Sequence, residues 1–281
     1  MRPVFLQYLI VAVTSVASLV STASPSTSSP TVIISDIQQA DPAVFCIDCG
    51  EPFDAHTRRK ILKRLANNPY IAQLRKGLYF PDSAQPFVSK VHFDNCDFDA
   101  GLDHLASLMD EVASYARAAE ATTDNAERDD AVSHAFFALG QALHSIQDFY
   151  AHSNYVELQM AKVQRMIDID IIALWRKDAR QQIELLQKER LVSGVVFWGV
   201  PQKCLPGTPS YTELAKSTAT TASGSQLVAH LQNINRYAIA RFLAVESSLS
   251  LLTDAFRQWP ILAHTNGRVV AFEVLLDHQR L

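Results

Sequence analysis

A chain of 281 residues that is 48% hydrophobic can bury a sizeable core within one domain. Its formal net charge of −4 argues against a surface that coats nucleic acid in general, but leaves room for a phosphate bound through metal. Nine glycines among many Ala and Leu favour helices over sandwiches and barrels, so the expected class is all-α.

Residues 1–23 open with Met1-Arg2, run through apolar FLQYLIVAVTSVASLV and reach Ser21-Thr22-Ala23. That pattern predicts a cleaved signal peptide and a secreted protein; a signal anchor is the rival reading. Residues 24–42 are rich in Ser, Thr and Pro and read as a flexible lead-in, leaving 43–281 as a single helical domain. Cys46 and Cys49 form a C-x2-C without a second copy, and a secretory signal implies an oxidising compartment. Disulfides are therefore expected, either Cys46 with Cys49 or both of these with Cys96 and Cys204.

Asp54 is a plausible N-cap, Ile61, Leu62 and Leu65 form a helical stripe, and Asn67-Asn68-Pro69 is expected to end that helix. Asp97, Asp99 and Asp103 lack the Gly and closing Glu of an EF-hand, so they read as a turn and the acidic start of a helix. That helix, over 101–120, packs through Leu105, Leu108, Met109 and Val112. After polar TTDNAERDD the next helix is expected from near Asp129, with His134 as a structural residue.

Residues 139–158, LGQALHSIQDFYAHSNYVEL, carry the chemistry. Leu139, Leu143 and Ile146 recur at helical spacing and predict an amphipathic helix with one buried stripe. His144, Asp148 and His152 follow each other by four, drifting only ~40° around the axis at each step, so all three face one side. Two imidazoles and a carboxylate placed this way suit zinc. The rise from His144 to His152 is ~12 Å on a regular helix, so the outer pair shares an ion only if the helix breaks or the site is multinuclear. A buried polar patch, with Asp148 accepting hydrogen bonds from both histidines, is the plainer alternative.

This run resembles the signature of the Het-C (heterokaryon incompatibility C) family, over about twenty residues. The N-terminal region of a von Willebrand factor A domain-containing protein family is similar. Both resemble the zinc-dependent phospholipase C and single-strand nuclease fold, which implies a buried site of two or three zinc ions. The resemblance further implies His56 near the mature N-terminus as a ligand. Val91-His92-Phe93-Asp94 looks like the HFD of Het-C-like chains and makes Asp94 a ligand and candidate base, with His92 beside it as the other choice. Glu157 is implied as a ligand or as a carboxylate orienting an imidazole, and His230 as a ligand from the last helix.

Residues 156–192 read as one long amphipathic segment through Met160, Val163, Ile167, Ile171, Leu174 and Ile183, with Arg176, Lys177, Arg180, Lys188 and Arg190 opposite. A solvated face is the ordinary meaning of such charges, and peripheral contact with anionic lipid the second. Phe197-Trp198 invites the same pair of readings, buried or dipped into lipid. Around Cys204 the histidine expected from the resemblance is missing; Tyr211-Thr212-Glu213-Leu214 stands there, with Glu213 as a substitute ligand. A last helix is expected over about 225–258. The resemblance implies a metal-dependent phosphoesterase acting on phospholipid or phosphodiester, or a non-catalytic recognition protein that keeps the site as structure.

Overall fold

Asp124 ends the polar connection by accepting hydrogen bonds from Ala126 N and Glu127 N, and so starts the longest helix among the described residues. The computed structural model describes residues 69–196 and 203–264. The proposed signal peptide, the Ser/Thr/Pro segment, His56, the Cys46 and Cys49 pair and Phe197-Trp198 all lie outside the described residues. In chain order the helices are α1 (Pro69–Ala84), α2 (Ser89–His92), α3 (Phe98–Ala121), α4 (Asn125–His152), α5 (Tyr155–Met160), α6 (Ala179–Lys188), α7 (Tyr211–Leu214), α8 (Arg236–Gln258) and α9 (Pro260–His264). Two 3-10 turns, Met166–Asp168 and Ala229–Leu231, complete the helical content of the described residues. Strands β1 (Leu227–Val228) and β2 (Ile234–Asn235) pair antiparallel, Leu227 opposite Asn235. No described helix is long and apolar enough to cross a membrane.

The 28-residue α4 lies at the centre, packed by α1, α3 and α8. Its second half, from Ala138 onward, is buried on nearly every side rather than along the single stripe expected. A helix enclosed on all sides needs small residues where neighbours press closest. Gly140 meets Gly77 of α1 at such a point. A Cβ on Gly140 would stand 2.1 Å from Leu74 O, and one on Gly77 would stand 2.0 Å from Phe137 O. Because the obstructing atoms are backbone, Gly140→Ala should cost at least the ~1–3 kcal/mol typical of overpacking. It should also move the Leu78 carbonyl away from His144. Urea unfolding of the variant checks the first effect, and an unchanged midpoint would remove this crossing from the account.

Pro69 begins a helix, as suits a residue without an N–H in a first turn, while the helix expected to end before it lies outside the described residues. Two expected boundaries differ. Within 156–192, helix persists only over Tyr155–Met160 and Ala179–Lys188. Between them, after the 3-10 turn Met166–Asp168, the β-branched Ile169, Ile171 and Ile172 favour extended backbone. There Tyr155 Oη donates to Asp170 O and Ile172 N donates to Tyr150 Oη, burying Ile169, Ile172 and Leu174. The last helix starts at Arg236, capped by Asn235, and the chain before it is the β1–β2 hairpin with Gln232 and Asn233 at positive φ.

The basic face of 156–192 is partly engaged inside the molecule. Arg176 pairs with Asp254, and Arg180 with Asp99 and Asp103. Asp97 pairs with Lys203, so these three aspartates serve helix α3 and its neighbours. Cys96 and Cys204, 108 residues apart, form a disulfide. That rules out the pairing of these two with Cys46 and Cys49, which themselves lie outside the described residues.

Candidate metal centre

The centre is assembled where the end of α4 meets three other pieces of chain. Helix α4 is unbroken through His152, so His144, Asp148 and His152 do stack along one side as their spacing requires. The other pieces are the end of α1, the His92–Cys96 turn and the extended segment 192–196. His92, Asp94, His144, Asp148 and His152 are all at most 7% exposed.

The turn after α2 is shaped by Phe93. Its ring is fully buried against Phe98 and Phe149 and lies over Gly101, where a Cβ would be 2.5 Å from the ring. To seat that ring, Phe93 takes φ 55°, followed by Asn95 and Cys96 at 56° each. Such backbone costs on the order of 1 kcal/mol per non-glycine residue and needs compensation. Asn95 supplies it: its Nδ2 donates to Ser89 Oγ, its N to Gly194 O, and its Oδ1 accepts from Val196 N. His92 and Asp94 thus leave a rigid turn toward α4.

The histidine tautomers follow from backbone partners. His144 Nδ1 donates to Leu78 O at 2.9 Å, and His92 Nε2 donates to Gln85 O at 3.1 Å. In neutral imidazoles this leaves His144 Nε2 and His92 Nδ1 as lone-pair atoms. They stand 3.2 Å apart, and each is 2.8 Å from Asp148 Oδ2. Three acceptors facing one another in a dry site repel unless a cation, proton or metal, sits among them.

The cluster fits a metal. Two zinc–imidazole bonds of ~2.0–2.1 Å at a tetrahedral angle place their nitrogens about 3.3 Å apart. Backbone carbonyls on the outer nitrogens are the usual way of orienting histidine ligands. Asp82, His92 and His144 offer ligand atoms all within 4.8 Å of one another, with Asp82 Oδ1 3.6 Å from His144 Nε2. On the other side of Asp148, its Oδ1 lies 3.9 Å from His152 Nε2, and His152 Nδ1 faces Asp94 Oδ1 at 3.3 Å. Those last two atoms are buried without a hydrogen bond of good geometry. Asp148 therefore stands between two groups of donors, and no ion need reach from His144 to His152.

Electrostatics agree with a cation-seeking site. Burial opposes the charged form of Asp148, but His144 and His152 outweigh it and hold the carboxyl well below its usual range. Burial likewise opposes charge on His152, yet Asp148 and Asp94 raise it to about 9; His92 is raised for similar reasons. Without metal, the raised histidines stabilise the fold fully below ~6.5, and that contribution is lost as pH rises toward about 9. The lowered Asp148 works the other way, losing its contribution only in acid. A bound ion needs deprotonated imidazoles, so its stabilisation grows over the same interval. Urea midpoints at pH 6 and 9 should fall with pH in chelator and rise in zinc; parallel curves would contradict the assignment.

A profile of the heterokaryon incompatibility protein Het-C family matches residues 89–173. That interval holds His92, Asp94, His144, Asp148 and His152, and leaves out Asp82 and Tyr211. Searches of curated proteins and of solved structures return no match.

The other expected ligands lie apart. His230 is exposed on a 3-10 turn, with Nε2 donating to Met160 O. Glu213 closes a capping box with Ser210 at the start of α7. Glu157 accepts from Ser223 Oγ and pairs with Lys216 and Arg236, with no imidazole among these partners. His134 is stacked on Tyr115, away from the cluster. Asp82 and Tyr211 were not expected at the site. Both are brought there from loops and helix ends by long-range packing, and no local spacing announces them.

Proposed function

We propose that this is a secreted, metal-dependent phosphoesterase of the zinc-dependent phospholipase C type, acting on a phospholipid or other phosphodiester. The observation that carries it is the convergence of His92 Nδ1, His144 Nε2 and Asp148 Oδ2, three buried acceptors in mutual contact. Asp82 and Asp94 complete the donor set, with His152 on the far side of Asp148. The site is reachable. A cavity of ≈ 420 Å³ opens onto His92, Asp94 and His152, walled by Pro86, Phe87, Val195 and Val196. The Cys96–Cys204 bond suits an oxidising compartment.

An ion held there would polarise phosphoryl oxygens and acidify a water near neutral pH. The chain's own contributions are separate. Asp94 lies at the cavity wall, where its carboxylate can orient the attacking water and take its proton. The apolar wall excludes bulk water and offers contact to an alkyl or acyl group. Among the described residues the lining holds no Lys or Arg.

The second reading, a recognition protein with a structural ion, is favoured by the near-complete burial of His144, 1% exposed. Metal analysis and turnover separate the two. The enzyme reading expects bound divalent metal and hydrolysis of a phosphatidylcholine or a nitrophenyl phosphodiester, lost with chelator and restored by zinc. Metal without turnover on lipid, nucleic acid or the synthetic ester supports the recognition reading.

A further inference from the structure

A phosphoester cleaved in this cavity leaves as an alkoxide and needs a proton, yet the site is crowded with acceptors. Once an ion is held, the imidazole nitrogens around it and Asp82, Asp94 and Asp148 offer lone pairs only. Among the described residues, the remaining polar lining is three consecutive hydroxyls, Ser210, Tyr211 and Thr212. Ser210 Oγ donates to Glu213 Oε2 at 2.7 Å, so in its 3.1 Å contact with Thr212 the threonine is the donor. Both aliphatic hydroxyl protons are thereby engaged inside the loop. Tyr211 carries the third and by far the most acidic hydroxyl of its class, and its oxygen sits 3.3 Å from His152 Nε2. Behind that imidazole, 3.3 Å from Nδ1, is Asp94 Oδ1. Asp94, His152 and Tyr211 therefore form a line from the buried wall to the cavity, beside the His92–His144–Asp148 cluster.

The position of Tyr211 is built with care. Its N donates to Val195 O, Ser210 bridges in parallel to Val195, and the capping box fixes the first turn of α7. A Cβ on Gly194 would stand 2.5 Å from Tyr211 Cα, so only glycine lets the two segments touch this closely. The ring packs edge-on against His152 with centroids 4.7 Å apart. The Cys96–Cys204 bond ties the loop leading to α7 to the turn that carries Asp94.

We infer that Tyr211 is the proton donor to the leaving group, with His152 and Asp94 aligned behind it; this rests on the phosphoesterase reading above. In the step, water oxygen forms the new P–O bond and its proton passes to a carboxylate of the site. The bond from phosphorus to the leaving oxygen breaks, its electron pair staying on that oxygen. The Tyr211 hydroxyl proton moves to the same oxygen, and the phenolate regains a proton from water.

The test is Tyr211→Phe, which keeps the ring against His152 and removes only the hydroxyl. Rates are compared on an alkyl methyl phosphodiester, whose alkoxide needs protonation, and on a nitrophenyl ester, whose leaving group does not. The inference expects about a 10²- to 10⁴-fold loss on the alkyl ester and a few-fold change at most on the nitrophenyl ester, with zinc content unchanged. Equal losses on both esters, no loss on either, or loss of zinc would overturn it. A second readout does not need turnover. In zinc-loaded protein carrying ¹³Cζ-tyrosine, the signal absent from Tyr211→Phe should move when monomethyl methylphosphonate is added. A signal that stays still overturns the inference even if the enzyme is active. A moving signal in a protein that hydrolyses neither ester keeps the contact and sinks the phosphoesterase reading instead.

Discussion

Asp148→Ala is expected to empty the site of metal and to lower phosphodiester turnover by on the order of 10³-fold, since several kcal/mol of transition-state stabilisation would depend on the ion. Asp148 supplies an anionic oxygen 2.8 Å from both His92 Nδ1 and His144 Nε2, and its other oxygen faces His152. Losing an outer partner of a ligand already weakens metal binding ~10–100-fold, and loss of the shared carboxylate should exceed that. The variant also loses the charge that holds His92 and His152 in their protonated range, so its metal-free stability should vary less between pH 6 and 9 than the wild type's. Asp148→Asn keeps the shape without the charge and should resemble the alanine variant in metal content. Metal analysis after gel filtration, with urea unfolding at both pH values, reads all of this. A folded Asp148→Ala protein with full zinc would contradict it.

Lys216→Met should destabilise the fold by about 3–5 kcal/mol, the range for removing one partner of a buried ion pair. Lys216 is 0% exposed. Its Nζ donates to Ser153 O at 2.7 Å and Leu214 O at 2.9 Å and pairs with Glu157 at 3.3 Å. Its backbone N donates to Ala151 O at 2.8 Å, so one residue satisfies two carbonyls at the end of α4. Burial lowers its pKa, with Glu157 opposing, which marks how costly the charge is without its partners. Removing the ammonium strands the Ser153 and Leu214 carbonyls and leaves Glu157 to Arg236 and Ser223. Because the last turn of α4 carries His152, zinc affinity should fall as well. Lys216→Arg should not restore stability, since a planar guanidinium does not fit three convergent acceptors. Equilibrium unfolding in urea checks the size of the effect, and a change under ~1 kcal/mol would show that the clamp is unimportant.

What could be read from the chain alone was what repeats locally. The four-residue spacing of His144, Asp148 and His152 put them on one face, and the helix is regular enough for that geometry to hold. The HFD run located the right turn, and both of its polar residues reach the centre. Phe93 takes φ 55°, with His92 in the tight cluster and Asp94 facing His152. No periodicity reveals how the turn divides them. Asp82, Tyr211 and Lys216 were illegible for a different reason: each acts through packing between segments 59 or more residues apart. The long segment 156–192 misled because its apolar residues keep helical spacing while β-branching and the Tyr150 and Tyr155 hydroxyls hold the middle extended. Glu157 and Glu213 looked like ligands by resemblance, whereas a buried ammonium and a helix N-terminus claim them.

Zinc-edge anomalous diffraction from crystals of the protein grown with zinc tests the central claim most directly. The account predicts an anomalous peak about 2.0–2.1 Å from both His92 Nδ1 and His144 Nε2, with an Asp148 oxygen completing the contact. A map with no peak there, and those two nitrogens held only by Asp148, would contradict it.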